Sequence, residues 1–340
     1  VSNTLLITAV GRRVYVIEEL VAAARPDDII LVTDRDVTAP AMSVAGALPV
    51  VAPPQGGVDE WLLDLCQRMS VDAVLSLHDY EAVAITRLAA KMAKTGTIFI
   101  GPDETAAITL IDKIGLARHL EATAPDLAVS TWPAMAISEQ SASGYVLKDR
   151  FGSASSGLTT ATTSLEAADL AKARNATAAW HPHGGTAPTE LVAQPMLAGT
   201  EYNVDLFIGN DGSLAGHCVK RKRAMRGGET DSAEVLVHGV EALAEAAYRA
   251  IHGLRITGNV DVDILECNDG RLAVIDVNPR FGGGYAFSAL AGYGAARGVW
   301  SLARSEPIAE HFGPTRELIA SKYVATKEVT AIQHGQLVRA

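Results

Sequence analysis

The sequence predicts an α/β amino-terminal unit, a doubly wound parallel sheet, followed by a larger α+β unit. Three observations carry this. Short apolar runs alternate with amphipathic helical stretches through the first hundred residues. A Ser/Thr/Gly/Ala-rich middle follows, from about residue 130 to 197. Beyond residue 199, strand-like alternation returns with long helical patterns between the strands. At 340 residues the chain has room for about two domains.

The elements follow in order. Residues 4–10 (TLLITAV) form an apolar run closed by Gly11, and residues 14–24 space their apolar side chains as a helix that stops before Pro26. Residues 28–33 (DIILVT) make a second strand. After Pro53 and Pro54, residues 61–69 read as an amphipathic helix, 73–77 as a strand, 81–94 as a helix and 97–100 as a strand. Strands separated by helices of this length need crossovers, hence a parallel sheet. Further on, strands are predicted at 145–148, 201–208, 216–219, 259–266 and 272–277, with helices at 235–251 and 286–303. Strand runs mixed with helices in this order suggest an antiparallel sheet.

Composition removes several classes of function. The net charge is −10, with 39 acidic against 29 basic residues, which disfavours a nucleic-acid partner and an anionic membrane surface. Apolar residues make up 48%, so the chain is globular rather than disordered. Cys66, Cys218 and Cys267 lie far apart with no CxxC pair, so neither a disulfide framework nor a zinc site is indicated. No window holds eighteen consecutive apolar residues, and Arg12 and Arg13 after a short apolar run do not fit a signal peptide. A cytoplasmic protein is expected.

Two acidic stretches stand out near the end. In the segment NVDVD (259–263), Asn259, Asp261 and Asp263 share one strand face; in VIDVNPR (274–280), Asp276 and Asn278 do the same. Neighbouring strands that aim oxygen ligands to one side suit Mg²⁺, which takes one or two carboxylates with phosphates and waters. Taken alone, the same residues read as the solvated face of a sheet. Arg280 leads into FGGGY (281–285), a run whose backbone N–H groups could approach an anion, or a plain flexible turn. Lys148 ends a strand ahead of the loop GSASSG (152–157), which places an ammonium group where a loop could cover phosphates. It is not a Walker A loop, and the first strand–helix turn lacks GxGxxG, which disfavours an NAD-dependent oxidoreductase. The basic run KRKR (220–223), with Arg226 before Gly227 and Gly228, reads as a mobile phosphate-contacting loop. His78, Asp79 and Glu81 follow a strand at the end where doubly wound sheets bind ligands, though Asp79 also reads as a helix N-cap.

The order of these pieces is more specific than any one of them. Asp112–Lys113, Lys148 with its Ser/Gly loop, QPMLAGTEYNVD (194–205), the basic run, Asp261 and Asp263, and DVNPR (276–280) together resemble the ATP-grasp superfamily. The resemblance is to single-unit members similar to one half of the carbamoyl-phosphate synthetase large chain, and it spans about residues 4–305. It implies a pre-ATP-grasp domain over 1–110 and an ATP-grasp domain over 111–340, with a small lid subdomain at about 128–195. It also implies ATP and Mg²⁺ as cofactors, with Mn²⁺ able to stand in. Lys113 and Lys148 would contact phosphates under a loop that includes Ser153, Ser155, Ser156 and Gly157. Gln194 and Met196 would meet adenine, and Glu201 the ribose. Asp276, Asn278 and Asp261 would hold metal, and Arg280 would stabilise the transferred phosphoryl group, with Lys148 and Arg223 adding charge. Gln194 stands where an acid is common, Asp261 where a glutamine can occur and Asp276 where glutamate is frequent; the shorter acid at 276 favours one metal over two.

The expected activity is that of a carboxylate–amine ligase working through an acyl phosphate, on an amino acid or short peptide. Arg221, Arg226, Gly283, Gly284 and Glu81 are the expected substrate contacts. Small-molecule carboxylate and amine partners are expected, with no nucleic acid, no membrane and a homodimer as the commonest soluble assembly. Two rivals remain open: a bicarbonate-using ATP-grasp carboxylase and a non-catalytic nucleotide-binding protein. One unit of 340 residues is too short for the tandem synthetase itself.

Overall fold

The computed structural model describes residues 2–53, 58–137, 143–152, 158–182 and 185–329. The amino-terminal unit runs β1 (Thr4–Thr8), α1 (Val14–Ala23), β2 (Ile29–Asp34), β3 (Leu48–Val51), α2 (Val58–Arg68), β4 (Ala73–Ser76), α3 (Asp79–Thr86), α4 (Ala89–Ala93) and β5 (Ile98–Ile100). Its five strands are all parallel, in the order β3-β2-β1-β4-β5. This is the doubly wound sheet the alternation predicts. Each strand is apolar because both faces are covered. Leu5, Ile7 and Val32 face one core, Leu6, Leu31 and Val74 another. The strand at 48–51 has no forecast, and the helix expected over 81–94 divides into α3 and α4.

Two capped helices follow, α5 (Glu104–Ile111) and α6 (Lys113–Thr123). The Asp103 carboxylate accepts from Ala106 N at 2.8 Å, and Asp112 from Ile114 N at 3.0 Å, satisfying N–H groups that a helix start leaves free. The middle of the chain contributes β6 (Trp132–Pro133), β7 (Tyr145–Asp149), β8 (Thr159–Ala161), α7 (Ser164–Asn175), β9 (Ala178–Trp180), β10 (Thr186–Pro188) and β11 (Leu191–Pro195). Four of these form the antiparallel sheet β6-β11-β7-β8.

The last segment holds β12 (Gly199–Ile208), β13 (Leu214–Arg226), β14 (Glu229–Leu236), α8 (Glu241–Ala250), β15 (Gly258–Cys267), β16 (Leu272–Asn278), α9 (Tyr285–Leu290), α10 (Ala295–Arg304) and β17 (Leu318–Ser321). Its antiparallel sheet is ordered β16-β15-β12-β13-β14-β17. One face, with Val204, Leu206, Val219, Val260, Val262 and Val277, packs against α5, α6 and α8. The opposite face carries Asn203, Asp205, Lys220, Asp261 and Asn278, all buried although polar. A period of two divides the strands between core and chemistry.

Three expectations are corrected here. The basic segment is not a mobile loop: β13 runs through Arg226, and Gly227 (φ 57°) and Gly228 (φ 80°) form a two-residue hairpin turn into β14. Both glycines are left-handed, as a type I′ connection requires. The helix expected over 235–251 begins at Glu241, because Val235 and Leu236 still belong to β14. The helix expected over 286–303 is two, separated by a turn containing Gly292 (φ 93°) and Gly294. These two helices join the units. Phe287, Val299 and Trp300 share one core with Leu5, Ile7 and Ile17, and the Trp300 indole donates to Leu20 O at 2.9 Å.

Candidate active site

A cavity of about 510 Å³ opens between the small antiparallel sheet, the polar face of the large sheet and the amino-terminal unit. Its cationic lining is Arg13, Lys113, Lys148, Lys222 and Arg280; its acids include Glu201, Glu229, Asp261, Asp263 and Asp276. Regular elements position these groups. On β7, Tyr145 and Leu147 turn into the core of the small sheet, so Val146 and Lys148 face the cavity. Lys113 begins α6, and its N–H donates to Arg150 O at 3.0 Å beside the start of the glycine-containing loop. β15 and β16 pair Asp261 with Asn278 and Asp263 with Asp276, so the four expected oxygen-bearing residues sit in two adjacent rows.

The acidic rows are held by a dense set of contacts. Lys113 Nζ lies 2.5 Å from Asp276 Oδ1. The Asn203 amide donates to Asp261 Oδ1 at 2.7 Å and to Asp263 Oδ1 at 2.8 Å. Asn278 Nδ2 lies 3.4 Å from both Asp261 Oδ2 and Asp276 Oδ2. Burial, with the charges of Asp263 and Asp205, pushes the Asp261 carboxyl up to about 6. Burial also pushes Asp276 up, but Lys113 and Lys148 outweigh it and hold that carboxyl below its usual value. Among the described residues Asp261 forms no ion pair. A buried carboxylate without a cation, next to a second carboxylate oxygen and an amide, is a donor set that fits a divalent ion.

Sequence reasoning misses several neighbours. Lys222 reaches Glu201 Oε1 at 2.6 Å and Asp263 Oδ1 at 2.9 Å. Lys220 and Asp205 are a fully buried ion pair, and Ser288 Oγ completes it at 2.7 Å from Lys220 Nζ. Arg280 meets Asp79 across the unit boundary, Nε to Oδ1 at 2.8 Å and Nη2 to Oδ2 at 2.9 Å. Burial alone would lower Arg280; the Asp79 charge reverses this and raises it. Asp79 is therefore not the N-cap of α3. That place belongs to His78, whose Nδ1 accepts from Tyr80 N at 3.3 Å. From the first strand–helix turn, Arg13 donates to Phe281 O and Tyr15 to Gly282 O at 3.4 Å. Burial pushes the Tyr15 phenol up to about 12 against the opposing Arg13 charge, which keeps it a neutral donor.

Of the residues singled out from sequence, Lys113, Lys148, Gln194, Glu201, Asp261, Asp276, Asn278, Arg280, Gly283 and Gly284 all line this cavity. Ser153, Ser155, Ser156 and Gly157 lie outside the described residues; Gly152 and Leu158, on either side of them, line it. Among the described residues, Arg221, Arg223, Arg226, Met196 and Glu81 are not part of its wall. Arg221 and Arg223 pair with Glu234, the latter at 3.3 Å, and Arg226 pairs with Asp231 at 3.1 Å. The reason is parity: Lys220 and Lys222 share the cavity face of β13, so Arg221 takes the other. Met196 N donates to Gly144 O at 2.9 Å, while Gln194, Pro195 and Leu197 around it face the cavity. Glu81 stays in the amino-terminal unit, where Ser76 Oγ lies 3.5 Å from its Oε2.

Gly282 has a different reason from the expected one. A Cβ there would stand 1.9 Å from Asp261 Oδ1, so the missing side chain makes room for that carboxylate.

Comparison with known proteins bears out the fold. Residues 187–326 match the family profile described as ATP-grasp in the biosynthetic pathway with Ter operon, and residues 5–100 match the PylC-like, N-terminal domain. The chain has an ATP-grasp fold. Among curated proteins, none matches it in sequence. Similar solved structures share the fold over most of this chain's length. The N5-carboxyaminoimidazole synthetase of Staphylococcus aureus, complexed with ADP, aligns at a TM-score of 0.69 and 15% identity, covering 90% of this chain and 78% of that one. The L-amino acid ligase of Bacillus licheniformis aligns at 0.71 and 15%, covering 95% and 81%. The biotin carboxylase domain of Hydrogenobacter thermophilus 2-oxoglutarate carboxylase, solved with MgADP, ADP and bicarbonate, aligns at 0.72 and 13%, covering 93% and 73%. At these identities the likeness is one of fold. Among the described residues, no helix is long and apolar enough to cross a membrane.

Proposed function

We propose that this protein is an ATP- and Mg²⁺-dependent carboxylate–amine ligase acting on an amino acid or short peptide. The observation that carries the reading is the meeting of Lys113 and Lys148 with Asp261, Asp276 and Asn278 in one cavity. Lys148 is the group ready for a phosphate. Among the described residues it has no ion pair, and its one hydrogen bond is to Ile275 O at 3.4 Å. Val129, Val146, Leu197 and Leu265 would give a purine an apolar wall, and Glu201, in register with Leu265, would meet the ribose. Asp261, Asp276 and Asn278 would hold Mg²⁺, which supplies positive charge beside the phosphate oxygens.

In the reaction a substrate carboxylate oxygen bonds to the γ-phosphorus and ADP leaves with the bridging oxygen. The amine nitrogen then bonds to the acyl carbon, phosphate leaves and the nitrogen gives up a proton. The protein orients the partners and offsets charge; little covalent chemistry is asked of it. Lys148 and Arg280 line the cavity where negative charge would gather in this reaction.

The test is ADP release over a panel of amino-acid pairs, with hydroxylamine trapping of the activated acid and a parallel arm containing bicarbonate alone. Arg280→Ala and Asp276→Ala should each lower turnover by about two to three orders of magnitude. Near-normal ADP release by both variants would refute the site, and bicarbonate-dependent release without an added acid would favour a carboxylase.

A further inference from the structure

We propose that Arg13, from the amino-terminal unit, anchors a carboxylate of the amine substrate, so that the acceptor is an amino acid or peptide and not a simple amine. This rests on the ligase reading above and narrows it to a substrate class. The argument is one of charge. Of the five cations in the cavity wall, Lys113 is paired with Asp276, Lys222 with Glu201 and Asp263, and Arg280 with Asp79. Among the described residues, Lys148 and Arg13 have no ion pair. Two unmatched cations in one cavity call for two anions. A triphosphate answers Lys148; Arg13 is left for something else.

The two lie at different ends. Leu265, Glu201 and Leu197 mark the apolar end, while Asp261, Arg280 and Gly283 mark the other. Along β15, Leu265 and Asp261 are four residues apart, about 13 Å at roughly 3.3 Å per residue. Arg13 belongs to the second end, because its Nη1 donates to Phe281 O. Its Nε and Nη2 have no hydrogen-bond partner among the described residues, leaving two donors of the planar fork that matches a carboxylate. The nearby acid Glu229 is already paired with Lys322 at 3.1 Å. The backbone leading to Arg13 is itself constrained. Ala9 holds φ at 51°, a left-handed conformation unusual for a residue with a Cβ, and Gly11 N–H donates to Asp34 Oδ2 at 2.8 Å. Arg280, with Nε and Nη2 facing Asp79 and Nη1 on Phe281 O at 3.1 Å, is less free to take this role.

The experiment is a thermal-shift panel on the full chain. The protein is first saturated with Mg²⁺ and a non-hydrolysable ATP analogue, then given each of the common L-amino acids, their α-carboxamides, and inorganic phosphate. At least one amino acid should stabilise the nucleotide-loaded wild type while its carboxamide does not. Arg13→Ala should keep the shift caused by nucleotide, which also shows that it folds, and lose the shift caused by the amino acid. Affinity for the amino acid should fall about ten- to a hundredfold, the loss of a charge-assisted pair of hydrogen bonds. Arg13→Lys should recover part of it. An amino-acid response that survives in Arg13→Ala overturns the proposal. So does a carboxamide that binds as well as its acid, a stronger response to phosphate, or no response to any amino acid. Absence of the nucleotide shift in the wild type would sink the ligase reading instead, and the proposal with it.

Discussion

Arg280 faces Asp79 through two nitrogens, and the pair joins α3 of the amino-terminal unit to the end of β16. Burial works against the Asp79 charge, but Arg280 outweighs it and holds the carboxyl below its ordinary value. Unfolded, the same group titrates near about 3.9. The pair's contribution is therefore complete above that pH and is lost as pH falls through the lower native value. Asp79→Asn leaves a buried guanidinium unmatched, which should cost about 3–5 kcal/mol at pH 7. Urea denaturation of wild type and variant should show that gap narrowing below about pH 4. This residue was only half legible. Its position after a strand marks the ligand end of the sheet, yet a local sequence reading offers a helix cap and cannot see a partner 201 residues away. The alternation in KRKR posed the opposite problem. Four consecutive cations carry no sign of which pair faces inward, since that depends on the register of β13 against β12.

At the scale of elements, alternation worked where apolar residues mark the other face. Val260 and Val262 identify the core side of β15, and Asp261 and Asp263 follow. It failed where charges occupy both faces, as in β13, and where one apolar stretch passes from strand to helix, as at Val235–Leu236. The segment 281–284 shows an element whose composition is legible and whose reason is not. Gly282 passes over Asp261 so closely that a methyl group would stand 2.2 Å from its Cγ. Gly282→Ala should destabilise the protein by about 1–3 kcal/mol through overpacking and move Asp261 out of its row. Gly313→Ala, where an added Cβ meets nothing within 4 Å, should change stability by less than about 0.5 kcal/mol. Thermal melts of the two variants, with and without Mg²⁺, separate these outcomes.

Across the whole molecule, three sheets converge on one cavity. The C-terminal helices α9 and α10 make this possible. They share a core with the parallel sheet on one side and with Phe207 and Val235 of the large sheet on the other. The amino-terminal unit is thus fixed against the large sheet, which delivers Arg13 to the cavity and Asp79 to Arg280 in its wall. Lys113 and Lys148 reach it from the start of α6 and from β7, 163 and 128 residues from Asp276. The order of motifs along the chain signalled this convergence; the contributions from the first strand–helix turn and from α3 had no motif to announce them. Calorimetric titration of ADP, with and without Mg²⁺, against wild type, Lys148→Ala and Asp276→Asn tests the convergence most directly. Binding to the wild type should depend on Mg²⁺ and weaken at least about tenfold in both variants. ADP binding that is indifferent to the metal and to both substitutions would contradict it.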